Sequence, residues 1–282
     1  MSEVAVITDS TAYLPDQLLT QYQIGVVPLN VIWDNQTLQD GVDITPEDFY
    51  NRLQDSPTLP STSQPSAAAF QAVFEDYLRE DRPVLAVLIS SEISGTVNSA
   101  LQAAQDLGTN QVRVVDSRTA GMATGLHVLA AARTAAEGAS LEECQAAAVK
   151  AQDHTDVIFV VDTLEYLHRG GRIGGAKRLL GSMLNIKPIL EIKAGKIEPL
   201  EQVRTQRKAL DRMIELMLEK IGDERPVRIA GFHSQAPELT DELIARTQEQ
   251  IEVRETFRTV LSPVIGTHVG PGTVALAVMH GM

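Results

Sequence analysis

The sequence predicts an α/β fold in two parts, an N-terminal domain over residues 1–154 and a C-terminal domain over residues 155–282. In the first part, short apolar runs typical of buried strands alternate with stretches of helical spacing, which indicates a mostly parallel sheet with flanking helices. Farther along, residues 187–192 and 197–203 flank a Lys-Ala-Gly-Lys turn and predict a β-hairpin. Because a purely parallel sheet contains no hairpin, we expect the second sheet to be mixed or antiparallel, again with helices.

The N-terminal half begins with a predicted strand at residues 4–8. A short helix near residues 15–22 and an apolar run at 24–33 follow. A helix is expected to start at Thr45, because threonine, proline and two acids in succession form a typical N-terminus. The aromatic and aliphatic spacing after Pro65 predicts an amphipathic helix. The other predicted elements here are a strand at 84–89, a helix beginning around 95–99, a strand at 111–116 and helices at 119–137 and 141–153.

The C-terminal half continues after the hairpin with alternating helical and strand patterns. The predicted elements are helices at residues 204–221 and 237–251 and strands at 227–232, 259–265 and 274–279.

Composition limits the classes of function. The 282 residues carry a formal net charge of −13, which argues against a nucleic-acid groove or broad adhesion to anionic lipid, since both need a basic face. The apolar runs are too short for a membrane span, and the N-terminus enters a strand pattern without the regions of a signal peptide, so we expect a cytoplasmic protein. The single Cys144 excludes an internal disulfide and is expected to be a packed thiol.

Three segments far apart in the sequence predict a site for a small anionic group. They are Ser-Thr-Ser-Gln-Pro at residues 61–65, Ser-Gly-Thr at 94–96 and Gly-Thr-His-Val-Gly-Pro-Gly at 266–272. The second and third follow apolar runs that we interpret as strands, and open α/β sheets bind ligands at strand ends. Hydroxyl groups, backbone N–H groups and one imidazole suit a carboxylate or a phosphate better than a metal.

Two predicted helix starts strengthen this interpretation. Thr62 and Ser63 precede one helix and Ser94 precedes another, so backbone N–H groups near Ser94 and Gly95 would help to hold an anion. The simpler alternative is that Thr62 and Ser63 only cap the following helix. The two roles are compatible.

Several familiar catalytic and cofactor motifs are missing. Ser94 has Glu92 and Thr96 where a nucleophile elbow needs glycines, which weakens a hydrolase interpretation. The stretch at 270–275 matches the dinucleotide fingerprint, but only seven residues follow it, and the Gly-rich stretch at 170–177 lacks the lysine and hydroxyl pair of a phosphate loop. The sequence therefore predicts no cofactor.

The histidines do not show metal-binding spacing. They stand singly, at residues 127, 154, 168, 233, 268 and 280, without cysteine partners, so we expect no metal site. His268 differs from the others because glycines and a proline surround it. On its own, a lone histidine is more often a structural hydrogen-bonding residue than a ligand.

Five motifs in order along the chain resemble the DegV family. They are Val-Ile-Thr-Asp-Ser-Thr at residues 6–11, Thr-Ser-Gln-Pro at 62–65, Ser-Gly-Thr-Val-Asn-Ser-Ala at 94–100, Leu-Glu-Tyr-Leu at 164–167 through Gly-Gly-Arg-Ile-Gly at 170–174, and Ile-Gly-Thr-His-Val-Gly-Pro-Gly at 265–272. The resemblance implies a two-domain protein that holds one long-chain fatty acid between its domains. It also implies that the chain is not itself an enzyme, but presents the carboxylate to a partner kinase for acyl phosphate formation in phospholipid metabolism.

The resemblance also assigns residues. The carboxylate-binding residues would be Thr62, Ser63, Ser94, Gly95 and His268, with no catalytic residue and no metal ligand in this chain. The alternatives are a stand-alone serine hydrolase or phosphotransferase that uses Ser94 and His268, and a lipid carrier without a kinase. Transient contact with a membrane is compatible with each of them.

The densest basic cluster of the acidic chain consists of Arg169, Arg172, Lys177 and Arg178. Such a cluster is either an ordinary solvated face or a docking patch for an acidic partner. The resemblance places partner recognition near the Gly-Gly-Arg motif, so we expect an exposed Arg172, with Arg169 as the weaker candidate, to dock the kinase without touching the fatty acid.

Overall fold

The structure is a computed structural model that describes residues 3–181 and 186–282. In chain order its strands are β1 (Ala5–Asp9), β2 (Gly25–Val27), β3 (Asn30–Trp33), β4 (Gln36–Gln39), β5 (Ser61–Ser63), β6 (Val84–Leu88), β7 (Val112–Asp116), β8 (Thr155–Val160), β9 (Lys187–Lys193), β10 (Lys196–Val203), β11 (Val227–His233), β12 (Glu255–Val260) and β13 (Val274–His280).

Ten α-helices are distributed along the described chain. They are α1 (Asp16–Gln21), α2 (Pro46–Asp55), α3 (Ala67–Arg79), α4 (Thr96–Leu107), α5 (Met122–Ala136), α6 (Leu141–Asp153), α7 (Glu165–Arg169), α8 (Gln206–Ile221), α9 (Pro237–Gln250) and α10 (Pro263–Val269), with 3₁₀ turns at Ser10–Ala12 and Gly174–Leu179. Among these described helices, none combines the length and the apolar character needed to cross a membrane.

The first sheet is parallel and has the order β2-β1-β6-β7. Its central strands are buried on both faces, as expected for parallel strands covered by helices. Ile7 and Leu88 pack with Phe70 and Phe74 on the side of α3 and α4. Alternate residues such as Val6 face the opposite side, where α5 and α6 lie. The predicted parallel sheet with flanking helices is confirmed.

The second sheet is mixed and has the order β10-β9-β8-β13-β11-β12. Only β11 and β12 are parallel neighbours, and β9 and β10 form the predicted hairpin. One face packs against α8 and α9. The other face packs against α5, so this helix lies between the two sheets and joins both in one core. The strands of this sheet all follow residue 154, while the domain boundary at 154/155 stays a prediction.

A small antiparallel sheet, in the order β4-β3-β5, was not predicted. Its outer strands are short and polar, so they lack the alternating apolar pattern that identifies a strand. Asp34 and Asn35 both have positive φ in the two-residue turn between β3 and β4, which is typical of a tight hairpin. The sheet covers a satellite core around Trp33 and Phe49 and carries Thr62 on β5.

The predicted strand at residues 259–265 is wrong beyond Val260. The chain turns there, and Ser262 caps α10 by accepting a hydrogen bond from the Ile265 N–H, with Pro263 in the first helical position. A serine N-cap followed by proline is a strong helix start, and it outweighs the β-branched residues that follow. His268 therefore lies in the last turn of a helix and not in a loop after a strand.

Candidate functional site

A cavity of about 70 Å³ lies where the three sheets approach one another. Ile89 and Ala120 reach it from the carboxyl ends of β6 and β7, the position at which an α/β sheet was expected to bind a ligand. Phe159 and Phe232 line it from the inner face of the mixed sheet. The wall opposite is formed by β5 and α10.

The cavity brings together side chains from all three predicted segments. Thr62, Ser63, Ser94 and His268 line it. Gly95 precedes α4 and lies against the side chain of Gln64, which also lines the cavity. The first and third segments meet because β5 pairs with β3 and α10 packs against both strands, and the second joins them where Gly95 contacts Gln64. Their convergence was predicted, although the secondary structure around His268 was not.

His268 is held in the cavity wall by Thr62. Its Nε2 lies 2.8 Å from Thr62 Oγ1, and either atom can donate, depending on the tautomer of the ring. Burial, and secondarily the positive charge of Arg172, lower the pKa of His268 to about 4. The ring is therefore neutral at pH 7 and has a single N–H to donate.

The other ring nitrogen of His268 faces backbone. Nδ1 is buried without a hydrogen-bond partner among the described residues. A Cβ on Gly170 would lie 2.1 Å from this atom, so the glycine permits the imidazole to approach the turn after α7. The Gly-Gly-Arg motif and the histidine motif thus form one packed unit.

Ser94 and its neighbours have a different arrangement from the one predicted. Ser94 Oγ pairs with Thr96 Oγ1 at 2.9 Å. The Ser94 N–H donates to the Ser90 carbonyl at 3.0 Å, so this amide is already occupied, and the predicted role of nearby backbone N–H groups stays a prediction for Gly95. The cap of α3 is Ser66, which accepts from the Ala69 N–H, and so the alternative capping role of Thr62 and Ser63 is wrong as well.

This geometry does not form a hydrolase triad. The hydroxyl next to His268 belongs to Thr62, while Ser94 Oγ contacts Thr96. The unpartnered Nδ1 of His268 also lacks the carboxylate that orients the base in a triad. Within the described part of the chain, the site is suited to binding an anion and not to activating a serine.

Arg172 lies in the cavity wall, contrary to the prediction that it is exposed and away from this site. Its Nη1 donates to the Gly170 carbonyl at 2.7 Å and its Nε donates to the Ile93 carbonyl at 3.2 Å. The side chain folds back because these two carbonyls lie on either side of it. It brings a positive charge to the polar end of the cavity. Arg169, in contrast, is 60% exposed and pairs with Glu165.

The rest of the lining is almost entirely apolar. It consists of Leu29, Ile89, Ile93, Ala120, Gly121, Val157, Phe159, Leu167, Ile192, Ile197, Phe232, Leu261, Val264, Ile265, Val269 and Ala275, with the buried Thr273 as the polar exception. Sequence reasoning could not find these residues, because they have the same apolar character as the rest of the core. A cavity that is polar at one end and apolar elsewhere fits an amphiphile with an acidic head and a hydrocarbon tail.

Asp9, from the first motif, supports the site without lining it. Its carboxylate accepts hydrogen bonds from the Thr11 N–H at 2.9 Å and from the Ile89 N–H at 2.8 Å. These bonds tie the end of β1 to the end of β6, where Ile89 enters the cavity. Burial raises the pKa of Asp9, against the lowering effect of these hydrogen bonds.

Known proteins resemble this chain over its whole length. A family model described as an uncharacterised protein of the DegV family matches residues 3–280. A DegV domain-containing protein of Streptomyces coelicolor is 38% identical over 277 residues, which cover 98% of each chain. The solved structure of a DegV family protein from Thermus thermophilus, described as fatty acid binding, aligns over 99% of both chains with a TM-score of 0.93 and 34% identity.

The structure of DegV from Bacillus subtilis, described as a fatty acid binding protein, covers 99% of this chain and 100% of its own, with a TM-score of 0.89 and 32% identity. The shared fold and the full-length family match agree with the order of motifs and with the parallel and mixed sheets described above. This chain therefore belongs to the DegV family.

Proposed function

We propose that this protein binds one long-chain fatty acid, with the carboxylate at the polar end of the cavity and the acyl tail along its apolar lining. The observation that carries the proposal is the asymmetry of the cavity, in which Thr62, His268 and Arg172 stand at one end and apolar side chains form nearly all of the remainder. The relatives described as fatty acid binding support it.

The two ends of the ligand have different tasks. Burying an acyl tail is worth about 0.8 kcal/mol per methylene, so some fifteen methylenes give on the order of 12 kcal/mol before association and ordering are subtracted. A hydrogen bond to a charged head contributes about 1.5 to 3 kcal/mol. The tail supplies most of the affinity, and the polar residues orient the carboxylate.

Admission of the tail requires movement of the lining. Pockets for ligands of drug size usually measure roughly 300 to 1,000 Å³, and the cavity here measures about 70 Å³. The lining side chains must therefore separate when the acyl chain enters. Selectivity for chain length and unsaturation would then depend on how far residues such as Phe159 and Phe232 can shift.

We also propose that the protein presents the bound acid to a kinase subunit, which supplies ATP. A carboxylate oxygen would attack the γ-phosphorus, the bond to the leaving ADP would break, and an acyl phosphate would form. Thr62, Ser94 and His268 would restrain the carboxylate for this in-line attack, which is a matter of positioning. The polar end suits this task, because Gln64 there is exposed and Arg169 of the adjacent α7 is also exposed, although a docking partner would compete with its ion pair to Glu165.

Mass spectrometry of an organic extract tests the binding proposal. Protein purified without added lipid should release one long-chain fatty acid per chain. Ala120→Phe, which projects a ring into the cavity, should release much less, and the same change at the exposed Ala68 of α3 should release as much as the wild type. Extracts without a stoichiometric acyl species, together with no uptake of oleate by the delipidated protein, would refute it.

A further inference from the structure

A second group of polar side chains lies at the opposite end of the mixed sheet. His154 follows α6 and directly precedes β8, Glu224 lies between α8 and β11, and His280 is the last residue of β13. Ala275, which lines the fatty-acid cavity, is five residues before His280 on the same strand, a separation of about 17 Å at roughly 3.4 Å per residue. The group is thus separate from the site described above.

The three side chains direct ligand atoms at one point. Glu224 Oε2 lies 2.8 Å from His280 Nδ1 and 3.5 Å from His154 Nδ1, and the three residues each offer one ligand atom within 4.8 Å of the other two. Four ligands placed tetrahedrally at about 2.0 to 2.1 Å from a zinc ion are about 3.4 Å apart. Small side-chain adjustments would therefore bring all three atoms into coordination distance.

His154 supplies independent support for a missing ligand. Its Nδ1 is buried and has no hydrogen-bond partner in the described chain, although it faces the Glu224 carboxylate. Gly281 keeps the space beside it clear, because a Cβ there would lie 2.6 Å from Glu224 Oε2 and 3.1 Å from His154 Nδ1. A buried nitrogen without a partner is uncommon, and a bound cation would satisfy it.

The second nitrogen of His280 has the partner that metal-binding histidines usually have. His280 Nε2 lies 3.4 Å from Asp156 Oδ2, and Lys220 holds the other oxygen of this carboxylate at 2.9 Å. When Nε2–H donates to Asp156, the lone pair of Nδ1 is free to coordinate a metal.

The backbone around the group is already fixed. The His280 N–H donates to the His154 carbonyl at 2.9 Å, and the Gly281 N–H donates to the Pro226 carbonyl at 3.0 Å. These bonds link the three segments that carry the ligands. Binding would therefore require little ordering of the chain.

We propose that His154, Glu224 and His280 form a site for a divalent transition metal ion of the zinc class, with water in the fourth position. Two imidazoles and one carboxylate are ligands that zinc prefers, whereas calcium and magnesium prefer sites made of oxygen. The ion would clamp the end of the mixed sheet, since its ligands come from three segments that are distant in sequence. This spacing is also why the sequence did not predict the site.

Equilibrium dialysis with Zn²⁺ tests the proposal on tag-free protein that has been stripped with chelator. We expect one Zn²⁺ per chain, a higher melting temperature with Zn²⁺ than with Mg²⁺, and visible absorption typical of tetrahedral coordination when Co²⁺ is used. His154→Gln and Glu224→Gln should each weaken Zn²⁺ binding at least tenfold and abolish the Co²⁺ spectrum. Asp156→Asn should weaken it by roughly 10- to 100-fold.

The matched control is His168→Asn, which removes an exposed histidine far from the group. It should bind Zn²⁺ like the wild type. Circular dichroism and lipid content verify that each variant is folded, and His154 is suitable because its side chain is partly exposed. The proposal would be overturned if the His154 and Glu224 variants bind Zn²⁺ as strongly as the wild type does, or if the folded wild type retains no Zn²⁺. The group would then be only a hydrogen-bonded His–Glu pair.

Discussion

Gly170→Ala should disturb the polar end of the cavity through its contact with His268. The new Cβ would lie 2.1 Å from His268 Nδ1, where an ordinary contact needs at least 3.4 Å, so the ring or the turn must move by about 1.3 Å. A shift of the ring by this amount would stretch or break its 2.8 Å hydrogen bond to Thr62. Overpacking of this kind typically destabilises a protein by about 1 to 3 kcal/mol.

A double-mutant cycle with His268→Ala isolates this contact. The backbone of Gly170 has an ordinary negative φ. Once the imidazole is removed, the close neighbour of the new Cβ is the Tyr166 carbonyl oxygen at 3.1 Å, which needs an adjustment of only a few tenths of an ångström, and alanine also restricts the unfolded chain. Without the imidazole, Gly170→Ala should be neutral or stabilising by about 0.4 to 1 kcal/mol. The coupling free energy, measured by urea unfolding of the delipidated proteins, should therefore exceed about 1 kcal/mol. An equal loss of stability with and without the His268 ring would refute the reasoning.

Four further predictions concern the same region. Because the pKa of His268 falls from 6.5 to about 4 on folding, the contribution of the neutral ring to stability is complete above pH 6.5 and is lost as pH falls toward 4. In urea unfolding, the wild type should lose at most about 3 kcal/mol of stability relative to His268→Gln over this range. A stability difference between the two proteins that is the same at pH 7.5 and pH 4.5 would contradict this. Burial raises the pKa of Asp40 from 3.8 to about 7, so its favourable contribution is complete below pH 3.8 and lost as pH rises through 7. Asp40→Asn should therefore gain stability relative to the wild type between pH 4 and pH 8, by at most about 4 kcal/mol. If the melting temperatures of the two proteins instead differ by a constant amount across this range, Asp40 is not buried in its charged form. Thr62→Val should retain most of its lipid but lower acyl phosphate formation with the kinase much more, and undiminished rates at matched lipid loading would exclude an orienting role. Arg169→Ala should slow kinase association at low salt and retain lipid, whereas Arg172→Ala should also lose lipid, because Arg172 lines the cavity. Kinase titrations at two salt concentrations, together with extraction of the lipid from each variant, separate the two roles.

The sequence predicts the convergence of Thr62, Ser94 and His268 because each follows or precedes a recognisable element. It does not predict that His268 lies on a helix, since the run before it contains β-branched residues and only Ser262 and Pro263 mark the helix start. The local sequence therefore contains both a strand signal and a helix signal. In the structure the segment is helical, and α10 packs against β3 and β5.

Arg172 shows a different limit of sequence reasoning. A basic residue after two glycines is reasonably expected to be exposed, and its neighbours Lys177 and Arg178 are. The partners that draw Arg172 inward are the carbonyls of Gly170 and Ile93, and backbone carbonyls have no sequence signature. The same limit applies to the apolar residues that line the cavity, which are ordinary core residues. It also applies to His154 and His280, which only the sheet brings together.

The position of α5 between the two sheets restricts how any ligand could enter the cavity. Met122, Leu126, Leu129 and other residues of this helix are buried in a core that both sheets share. Exposing about four large apolar side chains would cost roughly 6 to 12 kcal/mol, which is comparable with the whole stability of a typical domain. The two halves of the molecule therefore cannot swing apart like the lobes of a hinged binding protein. If the protein binds a fatty acid as proposed, the acyl chain would pass through the rim of the cavity, by local displacement of side chains such as Gln64 and Ile265, while the central helix stays in place.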